Sequence, residues 1–212
     1  MIRTLLLALA ALTVRLPDPG ASSEMTVEEA IASRRSVRGY TGEAITLEEL
    51  SALLYSAQGI TSENGLFRAA PSAGATYPLT LLVAAARVDS LEPGIYRYIP
   101  EENSLRMVAS GDSLASLAAA ALGQRCVGDA AAVLVLAADY SITTSVYGER
   151  GVRYVDMEAG HAAQNVYLQC TAMSLGTVGV GAFIDDNVEA VVCPAMGLTP
   201  IYLLPVGRPA LR

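Results

Sequence analysis

Leu79-Thr80-Leu81-Leu82-Val83-Ala84-Ala85-Ala86-Arg87-Val88 is an almost wholly apolar run of strand length and reads as a buried strand. A second run of the same kind, Ala131 to Ala138, reads as another. Between them, Gly94 to Tyr98 and Ser104 to Val108 flank Pro100-Glu101-Glu102-Asn103 and predict a hairpin. Upstream, Thr26-Val27-Glu28-Glu29 and Thr46-Leu47-Glu48-Glu49 are helix starts, each a threonine cap with an acidic first turn. In the second, Glu49 completes a capping box, and Leu47, Leu50, Leu53, Leu54 and Ala57 follow at helical spacing. Downstream, Ser113 to Leu122 is an alanine-rich helix, and Glu149 to Leu175 is a long one. The long helix has the apolar stripe Val152, Val155, Ala159, Ala162, Val166, Cys170 and Met173. Strands over Thr177 to Ile184 and Ile201 to Val206, with a short helix at Asp186 to Val192 between them, close the chain. Hairpin strands mixed with helices, without strict βαβ alternation, predict an α+β domain.

The 212 residues suit one sizeable core. Charged residues are 17% of the chain, a low share that suits a surface hidden in an oligomer. The net charge is −7 and there is no lysine, so every fixed side-chain cation is arginine. An acidic surface repels a phosphate backbone and argues against nonspecific nucleic-acid binding. Cys126, Cys170 and Cys193 are odd in number and widely spaced, and His161 is the single histidine. That set offers neither a disulfide framework nor a metal site. Residues 1–24 form a segment of two readings. Arg3, the apolar run Thr4 to Val14 and the small residues Ala21-Ser22-Ser23 suit a signal for export; an arm packed on the domain or on a partner suits them as well. The first reading implies an exported protein and the second a cytoplasmic one. The run is too short for a transmembrane helix. Pro17 to Ser23 reads as a linker, and the domain is expected over 25–212.

Four stretches could carry chemistry. Arg34-Arg35-Ser36-Val37-Arg38 places three guanidiniums and a hydroxyl within five residues. Such a set is either an anion site or a solvated turn, and the acidity of the rest favours the anion. Pro71-Ser72-Ala73-Gly74-Ala75-Thr76-Tyr77-Pro78 is an ordinary loop or a small-residue surface that a flat ligand can approach. Gly176-Thr177-Val178-Gly179-Val180-Gly181 has the wrong spacing and the wrong junction for a dinucleotide fingerprint. On the long helix, Met157-Glu158-Ala159-Gly160-His161-Ala162-Ala163-Gln164-Asn165 lets Glu158 and His161 share a face. The favoured reading there is a helix–helix core with a structural histidine. A Walker loop is excluded by the missing lysine, and no G-x-S-x-G elbow is present.

In this order, RRSxR, PSAGAxYP, MEAGHxxQN, GTVxVGAF and Pro205-Val206-Gly207-Arg208 resemble the nitroreductase-like FMN flavoproteins, and within them the SagB-type dehydrogenases, across Met25 to Arg208. The resemblance implies an α+β fold with a central, mostly antiparallel sheet flanked by helices, in an interlocked homodimer with FMN at the subunit interface. By the family pattern Arg34, Arg35, Ser36 and Arg38 would hold FMN, with Arg208 completing the phosphate cage. Ser72, Ala73 and Gly74 would come from the other subunit, and Gly179 and Gly181 would line the isoalloxazine. It further implies two-electron transfer between NAD(P)H or another donor and a small organic acceptor. Two alternatives are oxidation of azoline rings in peptides and a flavin-binding dimeric module without turnover. The ring-oxidising branch is similar in having a Lys-Tyr pair before MEAGH. Here that stretch is Val146-Tyr147-Gly148-Glu149-Arg150, which lacks the lysine and leaves Tyr147 as the candidate proton donor.

Overall fold

A computed structural model describes residues 12–20 and 23–210. Seven strands form one sheet in the order β1-β4-β3-β2-β5-β7-β6, and every ladder in it is antiparallel. The strands are β1 (Thr13–Arg15), β2 (Leu79–Ala85), β3 (Gly94–Ile99), β4 (Ser104–Ser110), β5 (Ala132–Ala138), β6 (Gly176–Thr177) and β7 (Thr199–Gly207). The helices are α1 (Val27–Ser33), α2 (Leu47–Gln58), α3 (Leu114–Ala120), α4 (Arg125–Gly128), α5 (Tyr140–Tyr147), α6 (Arg150–Ala172) and α7 (Asp185–Val192).

The two apolar runs pair at the centre of this sheet, Leu79 opposite Ala138 through Ala85 opposite Ala132. Their side chains alternate between two cores. Leu81, Val83, Leu134 and Leu136 face one core with Leu50, Leu53 and Leu54 of α2 and Val155, Ala159 and Val166 of α6. Leu82, Ala84, Val133 and Val135 face the other with Leu114 and Leu117 of α3, Val127 of α4 and Val188 and Val192 of α7. Cover on both faces is what makes these strands apolar at every position.

Both threonine-capped helices start as the sequence predicts. Thr26 and Thr46 each accept from the backbone N–H of the glutamate three residues on, and that glutamate accepts back from the cap's N–H. The hairpin turn is a 3₁₀ turn over Pro100–Glu102 closed by Asn103 in the left-handed region. Several expectations need correction. The strand predicted over Thr177 to Ile184 is β6 alone plus a single bridge, Val180 to Leu203. The Tyr202 ring lies against the Gly179 backbone, where a Cβ would come within 2.8 Å of it, so the chain leaves the ladder there. Helices α4 and α5 are absent from the sequence reading; α5 is rich in hydroxyl and β-branched residues and lacks an apolar stripe. Val152, placed on the stripe of α6, is 45% exposed.

Residues 1–11 of the ambiguous N-terminal segment lie outside the described residues, as do Ala21 and Ser22 of its proposed small-residue stretch. The described part forms β1 on the β4 edge and buries Leu16. The Pro17 carbonyl accepts from Ser51 Oγ at 2.6 Å and Asn103 Nδ2 at 3.1 Å. Among the described residues, no helix is long and apolar enough to cross a membrane.

Candidate active site

The arginine-rich segment leaves α1 at Arg34, whose φ of −50° and ψ of 126° are no longer helical. Val37 N–H donates to the Thr177 carbonyl at 2.9 Å, and Thr41 N–H to the Arg208 carbonyl at 3.0 Å. These bonds stitch the segment to β6 and to the end of β7. The Arg34 guanidinium stands 5.1 Å from the centre of the Tyr167 ring. Ser36 Oγ lies 3.2 Å from Tyr167 Oη, which accepts from Gly179 N–H at 2.6 Å. Tyr167 thus gathers Arg34, Ser36 and Gly179 at one point. It sits on the flank of the α6 stripe, next to Val166, and no sequence pattern sets it apart.

The remaining site residues fall into separate positions. Arg35 turns back and donates to the carbonyls of Ala32 and Arg34 at the end of α1. Arg38 lines a groove of about 580 Å³ with Arg35, Thr171, Ser174 and Pro209. Arg208 pairs with Glu49 at 3.0 Å, and that same carboxylate oxygen accepts from the Thr46 N–H. Gly181 is open, with only the Tyr202 ring at ordinary contact distance from a built Cβ. Among the described residues, Arg34 and Arg38 form no ion pair with a carboxylate. The buried hydroxyl of Thr177 has no hydrogen-bond partner among the described residues. Cations without counter-ions, an orphaned hydroxyl and an accessible glycine backbone fit a polar anionic ligand such as FMN.

A second group lies towards the other end of α6. The 71–77 loop makes a 3₁₀ turn at Ala73–Ala75 with Gly74 at φ +59°. A Cβ at Gly74 would lie 2.5 Å from the Tyr147 oxygen, so the loop and Tyr147 are in contact. Thr76 and Thr143 hydroxyls meet at 2.8 Å, and Tyr147 packs edge-to-face on Tyr154 at 5.2 Å. Ser72 Oγ accepts from Tyr77 N–H. Arg68 stacks 4.8 Å from the centre of Tyr77 and reaches Gln58 and Glu101. Asn165 of α6 donates to the carbonyls of Ser56 and Ala69.

Glu158 and His161 part company. His161 is exposed, which corrects its expected place in a helix–helix core, while Glu158 is 2% exposed. Burial pushes the Glu158 carboxyl up to about 7, against the opposing pull of Ser72, Gln58 and Arg68. A charged side chain spaced three from a histidine gives no hint in sequence of which one is buried.

Residues 31–208 match the nitroreductase family. The chain belongs to that family. It is 46% identical over 195 residues to a Methanocaldococcus jannaschii protein named as a nitroreductase, covering 92% of this chain and 96% of that one. A structure from Anabaena variabilis, also named as a nitroreductase, superposes with a TM-score of 0.82 at 30% identity, over 94% of this chain. The chain spans 42% of that longer protein. Two more distant structures share the fold. One is the Escherichia coli microcin synthetase McbBCD complex with truncated pro-MccB17, at TM-score 0.73 and 21% identity over 93% of this chain and 79% of that one. The other is the NADPH:FMN oxidoreductase of Vibrio harveyi complexed with NAD⁺, at 0.62 and 20% over 87% of this chain and 69% of that one. The nitroreductase family is one of oxidoreductases, so this chain is an oxidoreductase by membership.

Proposed function

We propose that this nitroreductase-family chain is an FMN-dependent homodimer that moves electron pairs from NAD(P)H, or another donor, to a small organic acceptor. The observation that carries the reading is the pair of guanidiniums without counter-ions, Arg34 and Arg38, flanking Ser36 in an acidic chain. When bound, FMN would supply two-electron chemistry at its N5. Arg34 and Ser36 would hold its phosphate and ribityl chain, and Arg38 would neutralise negative charge at the pyrimidine side. Arg208 would join the phosphate after exchanging Glu49 for it. Gly179 and Gly181 would offer backbone to the ring, and Tyr147 Oη would hand a proton to the acceptor.

Dimerisation is supported by the spacing along α6. Tyr154, beside Tyr147, and Tyr167, beside Arg34, are thirteen residues apart on that helix, or about 20 Å at 1.5 Å per residue. A twofold-related copy would bring the 72–74 loop of one protomer to the arginines of the other. The outer face of α6 exposes Val152 and Met157, and α1 exposes Val27 and Ile31, an apolar surface suited to such a partner. The second reading, peptide-azoline oxidation, is carried by the ordered motifs RRSxR, PSAGAxYP and MEAGHxxQN, but no lysine precedes Tyr147 here. The test is direct. Purified protein should be yellow, release FMN and behave as a dimer in light scattering. NADPH or NADH should bleach it in stopped flow, and a quinone or nitroaromatic should restore the colour. A colourless monomer that cannot be reconstituted overturns the reading; bleaching by an azoline peptide alone would favour the second.

A further inference from the structure

Glu158 and Gln58 are 2% and 1% exposed, and each carries a polar atom without a hydrogen-bond partner among the described residues, Oε1 and Nε2 respectively. Two orphaned groups in one buried spot are costly and ask for a reason. Both lie beneath the 71–77 loop. Gln58 Oε1 accepts from Arg68, Arg68 stacks on Tyr77, and Ser72 beside the Glu158 carboxylate already accepts the Tyr77 N–H. Ser72 therefore has its own proton left to give downwards. The loop's other fastenings run to Arg68, whose N–H donates to Tyr77 Oη, and to α5 through Thr76–Thr143 and Gly74–Tyr147, so Glu158 is its seat on α6.

We propose that Glu158 is a positioning residue for the 71–77 loop: its carboxylate takes the Ser72 hydroxyl proton and the free Gln58 N–H, seating the loop, and protonation of Glu158 releases it. The inference rests on the FMN reading, in which this loop contacts the flavin. Arg68 is the one charged group facing Glu158 from the loop side, and its partner Glu101 lies on the hairpin. The facing group on α2 is the neutral Gln58. On α6 itself, Asp156 is bonded to Tyr140, and His161 is exposed. Burial holds the carboxyl near 7, so the switch falls in the neutral range.

The experiment measures FMN dissociation constants from pH 6 to 8 on the full-length dimer for wild type, Glu158→Gln and Ser72→Ala. Wild-type binding should weaken three- to tenfold as pH falls from 8 to 6. Glu158→Gln should bind near the wild-type value at pH 6, and both variants should lose the Glu158 part of the slope, keeping only the shallow one that the FMN phosphate's own second ionisation gives every protein. A wild-type slope retained in Glu158→Gln, or no slope in wild type, overturns the proposal. Thermal unfolding of the apoprotein across the same pH range tests whether Glu158 is the titrating group without any flavin. The folded carboxyl keeps a proton that the unfolded chain releases near 4.5, so its stabilisation is complete below that pH and is lost as pH rises through about 7. Glu158→Gln should remove this slope, and Ser72→Ala should keep it; a slope unchanged in Glu158→Gln also overturns the proposal. If no protein binds FMN at any pH, the FMN reading fails by itself. Amide exchange of 72–77, corrected for intrinsic rate, then decides. Protection lower in Glu158→Gln than in wild type at pH 8, and equal at pH 6, supports the seat; equal protection at both pH values overturns it.

Discussion

Arg34 and Gly74 show how much rests on single residues. Arg34 is half-buried, stacked on Tyr167 and, among the described residues, without a carboxylate partner. Replacing it with alanine should weaken FMN binding by about 2–4 kcal/mol, the scale of a lost charge-assisted contact in a partly desolvated site. Titrating apoprotein with FMN and following the quenching of flavin fluorescence reads this directly. Gly74 has a different constraint. Its φ of +59° disfavours any Cβ, and the Tyr147 hydroxyl occupies the space that one would need. Gly74→Ala should cost about 2 kcal/mol, part backbone strain and part overlap. Adding Tyr147→Phe removes the overlapping oxygen and should recover roughly half of that loss in a double-mutant cycle. Strict additivity in urea denaturation would show that the two residues do not touch.

At the level of elements, α5 and α6 meet through Gly151. A Cβ there would lie 2.9 Å from the backbone N and Cα of Thr144, atoms that cannot rotate away. Gly151→Ala must therefore push the helices apart. It should destabilise by about 1–3 kcal/mol, the usual cost of overpacking, and it should displace Tyr147 from the loop it touches. A urea midpoint and, if Tyr147 is the proton donor, a lowered turnover in the same variant would show both effects. A midpoint unchanged from wild type would mean that the α5–α6 contact is looser than the geometry indicates. The two central strands, the β3–β4 hairpin and the capped helices were legible because their signals are local: an apolar run, a turn between two short strands, a threonine three residues before a glutamate. The edge strand β1, which exists only by pairing with β4, and the shortened β6 were not. The α5 helix was not, because its hydroxyl-rich sequence has no stripe and its position depends on Gly151, whose role exists only once α6 is packed against it.

Across the whole molecule the sheet divides the core in two. The family motifs in sequence named the arginines and the Gly179 stretch, but not what ties them together. Tyr167 joins Ser36 to Gly179 across 131 residues in one direction and 12 in the other. Glu158 looks like any surface glutamate of an amphipathic helix until Ser72 and Gln58 fold over it. Such partners arise from tertiary proximity and have no sequence spacing to betray them.

The three cysteines are distributed across that division. Cys170 lies in the core covered by α2 and α6, while Cys126 and Cys193 lie in the core covered by α3, α4 and α7. All three are buried as free thiols, and burial pushes Cys193 up to about 11 and Cys170 higher still, so the native protein should resist thiol reagents. Each thiol is then a clock for the layer that covers it. Pulsed alkylation followed by peptide mass mapping should give one opening rate for Cys126 and Cys193 and, where the layers detach separately, another for Cys170. If all three label at a single rate equal to global unfolding, the two layers open as one cooperative unit.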